Sequence, residues 1–148
     1  MTSGRSHGRD PRFLLENARS LCQYGHSAAR MKKLAWLADS RARVKSFPAG
    51  VQDDIGYALY AAQLGEMSPK AKPLHGLGSG VMEIVANDES GTWRAVYTVS
   101  IGDLIYVVHA FQKKSKIGIA TPKAEMDLVR QRLKQLRSEV RNAEKKSS

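Results

Sequence analysis

Three runs rich in β-branched and aromatic residues, Val81 to Asn87, Thr92 to Ser100 and Leu104 to Gln112, follow one another with very little chain between them. The connectors, Asp88-Glu89-Ser90-Gly91 and Ile101-Gly102-Asp103, are short and contain glycine. Such connectors close hairpins rather than crossovers, so this stretch predicts an antiparallel meander.

Helices are predicted on both sides of it. Pro48 stands where a helix can begin, because its missing N–H has no intrahelical partner there, and Gly65 stands where one can end in the left-handed conformation. Between them Val51, Ile55, Leu59 and Ala62 recur at spacings of four, four and three and form one apolar stripe. After the meander, Thr121 and Pro122 read as an N-cap and first helical residue, with Glu125 and Asp127 in the first turn where the helix dipole favours acids. Met126, Val129, Leu133, Leu136 and Val140 then repeat as the apolar edge of a last helix, whose tail AEKKSS reads as frayed. Ahead of the first helix, Lys33 to Ala38 is a strand candidate anchored by Trp36, and Arg41 to Ser46 a polar connector or short helix. Lys70 to Gly80, KAKPLHGLGSG, reads as a loop, and its glycines match neither a phosphate loop nor a dinucleotide fingerprint. Residues 1–30 carry one small apolar patch at Phe13, Leu14 and Leu15 and read as a flexible or weakly helical N-terminal extension. The folded unit is expected over residues 31–148.

The 148-residue length suits one core, and no apolar run approaches the roughly 20 residues of a membrane-spanning helix. The N-terminus has no apolar signal core, which points to a cytoplasmic protein without a membrane partner. The single cysteine, Cys22, fits a reducing compartment. With it and four scattered histidines, His7, His26, His75 and His109, no metal-ligand spacing arises, and neither a metal nor another cofactor is expected. The net charge of +10 is uneven: residues 1–30 carry +3, residues 31–111 carry 0 and residues 112–148 carry +7. A basic end of this kind suits a polyanionic partner, nucleic acid first, and equally suits a solvated basic helix.

Strand alternation places Trp93, Ala95, Tyr97 and Val99 on one face and Arg94 on the other, while Ile105, Val107, His109 and Phe111 share a face that Lys113 continues. Metal-free cleavage of RNA needs a base for the 2′-hydroxyl, cations for the phosphate and an acid for the leaving oxygen. Arg94 suits the phosphate, since a guanidinium binds it through two hydrogen bonds and stays charged. An ion pair with Glu83 on the neighbouring strand is the competing role. His109 has a pKa suited to acid or base work, or is a hydrogen-bonded buried histidine. Lys113, Lys114 and Lys116 bind the backbone, share proton transfer if one pKa is depressed, or form a solvated loop. Arg130, Lys134 and Arg137 are the further RNA-binding candidates on the last helix. Tyr97 and Phe111 stack on bases or fill the core.

Taken in order, Trp36, the Phe47-Pro48 helix ending in ALYAAQLGE, AKPLHGLGSGVMEI, WRAVYTV and YVVHAFQKKSKIGIATPKAEMDLVRQRL resemble phage-derived HigB-type toxins of the RelE/ParE superfamily. The resemblance runs from about Met31 to Leu136. It implies an α+β fold, with a small antiparallel sheet of about four strands, N-terminal helices on one face and a C-terminal helix. It also implies a toxin restrained by a HigA-like helix-turn-helix antitoxin, through which alone it reaches operator DNA. Many relatives cleave mRNA on the translating ribosome, without a metal, using basic and aromatic residues. Carried over by position, the matching arginine is Arg94 and the matching basic cluster Lys113 and Lys114. Tyr106 is the last tyrosine, so a tyrosine near the C-terminus is missing. Other members inhibit gyrase, and a non-toxic nucleic-acid-binding accessory protein is the third reading, because fold alone does not fix the target.

Overall fold

The computed structural model describes residues 31–113 and 122–147. The order of elements is β1 (Lys33–Trp36), α1 (Ser40–Lys45), α2 (Ala49–Gln63), β2 (Ala71–Pro73), β3 (Val81–Asp88), β4 (Gly91–Thr98), β5 (Leu104–Lys113) and α3 (Lys123–Ser147). The strands form one sheet in the order β1-β5-β4-β3-β2. The β3-β4-β5 meander is as predicted, and the fold is α+β. The sheet, however, has five strands and is mixed, because β1 runs parallel to β5.

The fifth strand, β2, lies inside the stretch read as a loop. It is three residues long and contains Pro73, which hides it from any pattern. Proline is tolerated there because β2 is the sheet's edge.

The stripe on α2 is buried as its spacing requires: Val51, Ile55, Ala58, Leu59 and Ala62 all face inward. Pro48 occupies the N-cap position, and the C-terminus closes with Gly65 at φ 83°. The Gly65 N–H donates to Ala62 O and the Glu66 N–H to Ala61 O, the pairing that satisfies carbonyls left over at a helix end. α1 and α2 cover one sheet face, where Val44 and the α2 stripe meet Ala71, Ile84, Ala86, Trp93, Ala95, Tyr97, Ile105, Val107 and Ala110. Tyr97 belongs to this core, and burial pushes its phenol up to about 12.

The second face carries Val81, Val96 and Val108, covered by Val129, Leu133 and Leu136 of α3. The predicted apolar edge of α3 is therefore correct. The first helical bond runs from Met126 N–H to Pro122 O, which puts Pro122 one position earlier than expected; Thr121 lies outside the described residues. The helix continues to Ser147, so most of the tail read as frayed is helical.

One irregularity repositions the site. Val96 pairs with His109 while Tyr97 pairs with Val107, leaving Val108 as an extra residue in β5. This bulge reverses the alternation of the strand beyond it. Ile105 and Val107 face α2, whereas His109, Phe111 and Lys113 face the other way, on the side of Arg94 and Val96. The single face expected for Ile105, Val107, His109, Phe111 and Lys113 is thus split. The continuous apolar run LIYVVHAF conceals the extra residue, because a period of two cannot be read from it.

Candidate nucleic-acid interface

Beyond the bulge, the α3 face of the sheet carries two separate polar rows. The first draws one residue from each of four adjacent strands. Lys72 in β2 pairs directly with Glu83 in β3; Glu83 lies diagonal to Arg94 in β4, across from Val85; and Arg94, opposite Phe111, lies diagonal to Lys113 in β5. Direct and diagonal neighbours on one face are within reach of long side chains.

The Arg94 Nη1 donates to Glu83 Oε2 at 2.7 Å, and Lys72 Nζ stands 4.0 Å from Glu83 Oε1. The side chain of Glu83 is only 2% exposed and that of Arg94 10%, whereas Lys72 is 60% exposed. The ion pair weighed for Arg94 is therefore present, and Glu83 neutralises one cation of the row. Counted over these four described residues, two positive charges remain in excess. Lys113 is half-buried, and its pKa lies below the usual lysine value. Desolvation is the main cause; Arg94 and Lys72 add to it by repulsion, and Glu83 opposes it. An amine so shifted is a stronger candidate for proton transfer than an ordinary surface lysine.

The second row is closed. His109 is fully buried, with Nε2 2.6 Å from Glu125 Oε1 and Nδ1 3.1 Å from Arg132 Nη1. A guanidinium only donates, so Nδ1 accepts and the ring proton sits on Nε2, directed at Glu125. Arg132 also donates to the bulge carbonyl of Val108 at 2.9 Å and to Asp39 Oδ1 at 2.9 Å. Asp39 in turn accepts from Arg43 Nε at 2.8 Å. Arg43, Asp39, Arg132, neutral His109 and Glu125 sum to zero charge. Desolvation holds the pKa of His109 below its ordinary value, Arg132 and Arg43 add to the shift, and Glu125 opposes it. The ring also stacks on Phe111, with centroids 5.4 Å apart. In this arrangement His109 ties α3 to the bulge.

The candidates on α3 differ among themselves. Arg130 and Lys134 are exposed, with Arg130 bonded to Asp127 at 3.1 Å. Arg137 instead donates to Leu77 O at 2.7 Å. It lies so close to Gly78 that a Cβ there would meet its Nη2 at 2.6 Å. Lys114 and Lys116 fall outside the described residues. The structure thus brings Arg94 and Lys113 into one row and leaves His109, on the same face, in the other.

Lys72, Asp39, Glu125 and Arg132 were missing from the sequence-derived site, and Glu83 figured only as a competitor for Arg94. Glu125 and Arg132 are seven residues apart, two helical turns, beside the apolar edge, and that spacing was a legible signal. Among the described residues no group of His, Cys, Asp or Glu is arranged to hold a metal ion, and no helix is long and apolar enough to cross a membrane.

The model of one protein family, described as phage derived protein Gp49-like (DUF891), matches residues 42–134. The chain belongs to this family. Gp49-like proteins are related to RelE/HigB-type toxins, and the matched region of this one contains all four residues of the open row. Neither curated proteins nor solved structures gave a match.

Proposed function

We propose that this Gp49-like protein is the toxin of a type II toxin-antitoxin pair and acts as a metal-independent endoribonuclease on mRNA at the ribosome. The observation that carries the reading is the open row, in which a buried, anchored arginine lies between two lysines, so that its four side chains are three cations and one carboxylate. Such a row suits a phosphodiester whose charge grows in the transition state. Arg94 holds the scissile phosphate, Lys113 takes part in proton transfer, and Lys114 holds the backbone together with Lys116, Arg130 and Lys134. His109 supports the fold of the site. The natural restraint is a HigA-like antitoxin, and the toxin acts in the cytoplasm.

The test is a short induction followed by mapping of RNA 5′ ends, with wild type beside Lys113→Gln and the paired variant Glu83→Met/Arg94→Met. The pair is replaced together because removing Arg94 alone takes from a buried carboxylate its 2.7 Å partner. New 5′ ends within messages are expected for wild type and their loss in both variants. Growth arrest with unchanged 5′ ends rejects the ribonuclease and favours a toxin that acts on gyrase or another protein. No arrest at all leaves a non-toxic nucleic-acid-binding protein.

A further inference from the structure

Two features of the open row are unused by the reading above: the exposed lysine at its outer end and the buried carboxylate at its centre. Lys72 is on an edge strand, mostly in solvent, and its 4.0 Å approach to Glu83 is too long and too exposed to be a strong structural tie. Glu83 is nearly sealed from solvent, yet its two oxygens face two different cations, Oε2 toward Arg94 and Oε1 toward Lys72. A buried carboxylate so placed fixes where both positive groups stand. Lys113 flanks Arg94 on the opposite side. From β2 to β5 the row crosses three strand spacings, about 14 Å, so Lys72 and Lys113 would meet a bound backbone from either side of Arg94.

We propose that Lys72 is a phosphate-binding residue of this site and that Glu83 is its positioning residue, holding Arg94 and Lys72 in the row. The assignment rests on the reading that the ligand is an RNA backbone. Lys72 contacts the polyanion directly. Glu83 touches no substrate; it orients the guanidinium and limits the repulsion that Arg94 and Lys72 exert on Lys113.

Two measurements on the full chain test this. The first is binding of a 2′-O-methyl oligoribonucleotide, which cannot be cleaved through a 2′-hydroxyl, over a range of salt concentrations. Lys72→Gln should lower the slope of log affinity against log salt by about 0.7, the loss of one phosphate contact on a single strand. Lys70→Gln, which removes the same charge from a residue paired with Asp54 of α2, should leave the slope unchanged. An unaltered slope in Lys72→Gln, an equal loss in Lys70→Gln, or no RNA binding by the wild type overturns the Lys72 assignment.

The second measurement is the titration of the Lys113 side chain by NMR with carbon-labelled lysine. Removing the cation in Lys72→Gln should raise the Lys113 pKa, and removing the anion in Glu83→Gln should lower it. General damage to the fold cannot move one group in opposite directions in this way. Shifts of the same sign, or none, overturn the role of Glu83. If Glu83→Gln does not fold, a missing upward shift in Lys72→Gln alone rejects the row. Should the wild type bind RNA without cleaving it, the ribonuclease reading falls while both of these results still stand.

Discussion

The two polar rows lie on the same face of the same sheet, and both contain an arginine bonded to a carboxylate, buried in one and partly buried in the other, yet their charges are arranged oppositely. Around His109 every charge is matched, the ring uses both nitrogens, and Arg132 ties α3, the bulge carbonyl and the β1–α1 connection together. Among the described residues of the row with Arg94, one carboxylate faces three cations, two of which reach the surface. A closed, balanced network can order a fold but offers nothing to a ligand. An open row with excess charge is costly until an anion arrives. On the proposed function the first row is structural and the second binds the ligand, although histidine is the more familiar catalyst.

The sharpest way to break the contrast is to disturb each row and ask what is lost. Arg94→Ala leaves Glu83 buried without its arginine, and we expect a loss of about 3–5 kcal/mol in urea unfolding, with activity lost as well. Glu83→Met/Arg94→Met should recover most of that stability while remaining inactive in growth arrest. Stability recovered together with arrest would show that the open row is not the site. His109→Gln should cost about 1–3 kcal/mol, because groups buried around the ring lose well-placed partners. Its cleavage per folded molecule should match the wild type. A folded His109→Gln protein that cleaves nothing would make the closed row catalytic.

Much of the fold was legible because its signals were local. The meander followed from short connectors, α2 from Pro48, Gly65 and the stripe between them, and the buried edge of α3 from its repeat. What was not legible depended on pairing between distant segments. The sequence of β1 does not say that it docks parallel to β5, and three residues with a proline do not announce an edge strand. The candidate site was half legible for the same reason. Arg94 could be placed opposite the large core residues from β4 alone. Lys113 and His109 could not be placed beside it, because the extra residue at Val108 lies in an unbroken apolar run. Lys72 was lost with β2, since a lysine in a loop has no face.

The titration of His109 gives a smaller but cleaner distinction. In the unfolded chain the imidazole titrates near 6.5, and in the folded protein burial holds it lower. Below about 6.5 the unfolded state therefore binds a proton that the native state refuses, and stability should fall as pH drops through that window. Asp39 does not confuse the measurement. Chiefly through its bond to Arg43, and also through Arg132, its carboxyl is held at about 2, against an ordinary 3.8, so its contribution persists until the pH falls below that ordinary value. Urea midpoints measured between pH 7 and pH 5 should slope in the wild type and flatten in His109→Gln. A slope that survives the substitution would place the responsible proton elsewhere.

The smallest effects belong to the outer surface of α3, where charge alone cannot tell solvation from binding. Arg130 is exposed and bonded to an exposed Asp127, whose pKa is lowered chiefly by Lys123 and secondarily by Arg130; Lys134 is exposed nearby. Neither Arg130 nor Lys134 touches the closed row, so Arg130→Gln and Lys134→Gln should leave the urea midpoint where it was. If the surface tracks an RNA backbone, each substitution should still lower the salt slope of oligoribonucleotide binding by about 0.7, as Lys72→Gln does. Arg137→Gln makes the internal control. Its guanidinium is committed to Leu77 O and packed against Gly78, so its loss should register in stability first. If Arg137→Gln changes the salt slope and Arg130→Gln does not, the binding track runs toward the loop that precedes β3 rather than along the outer face of the helix.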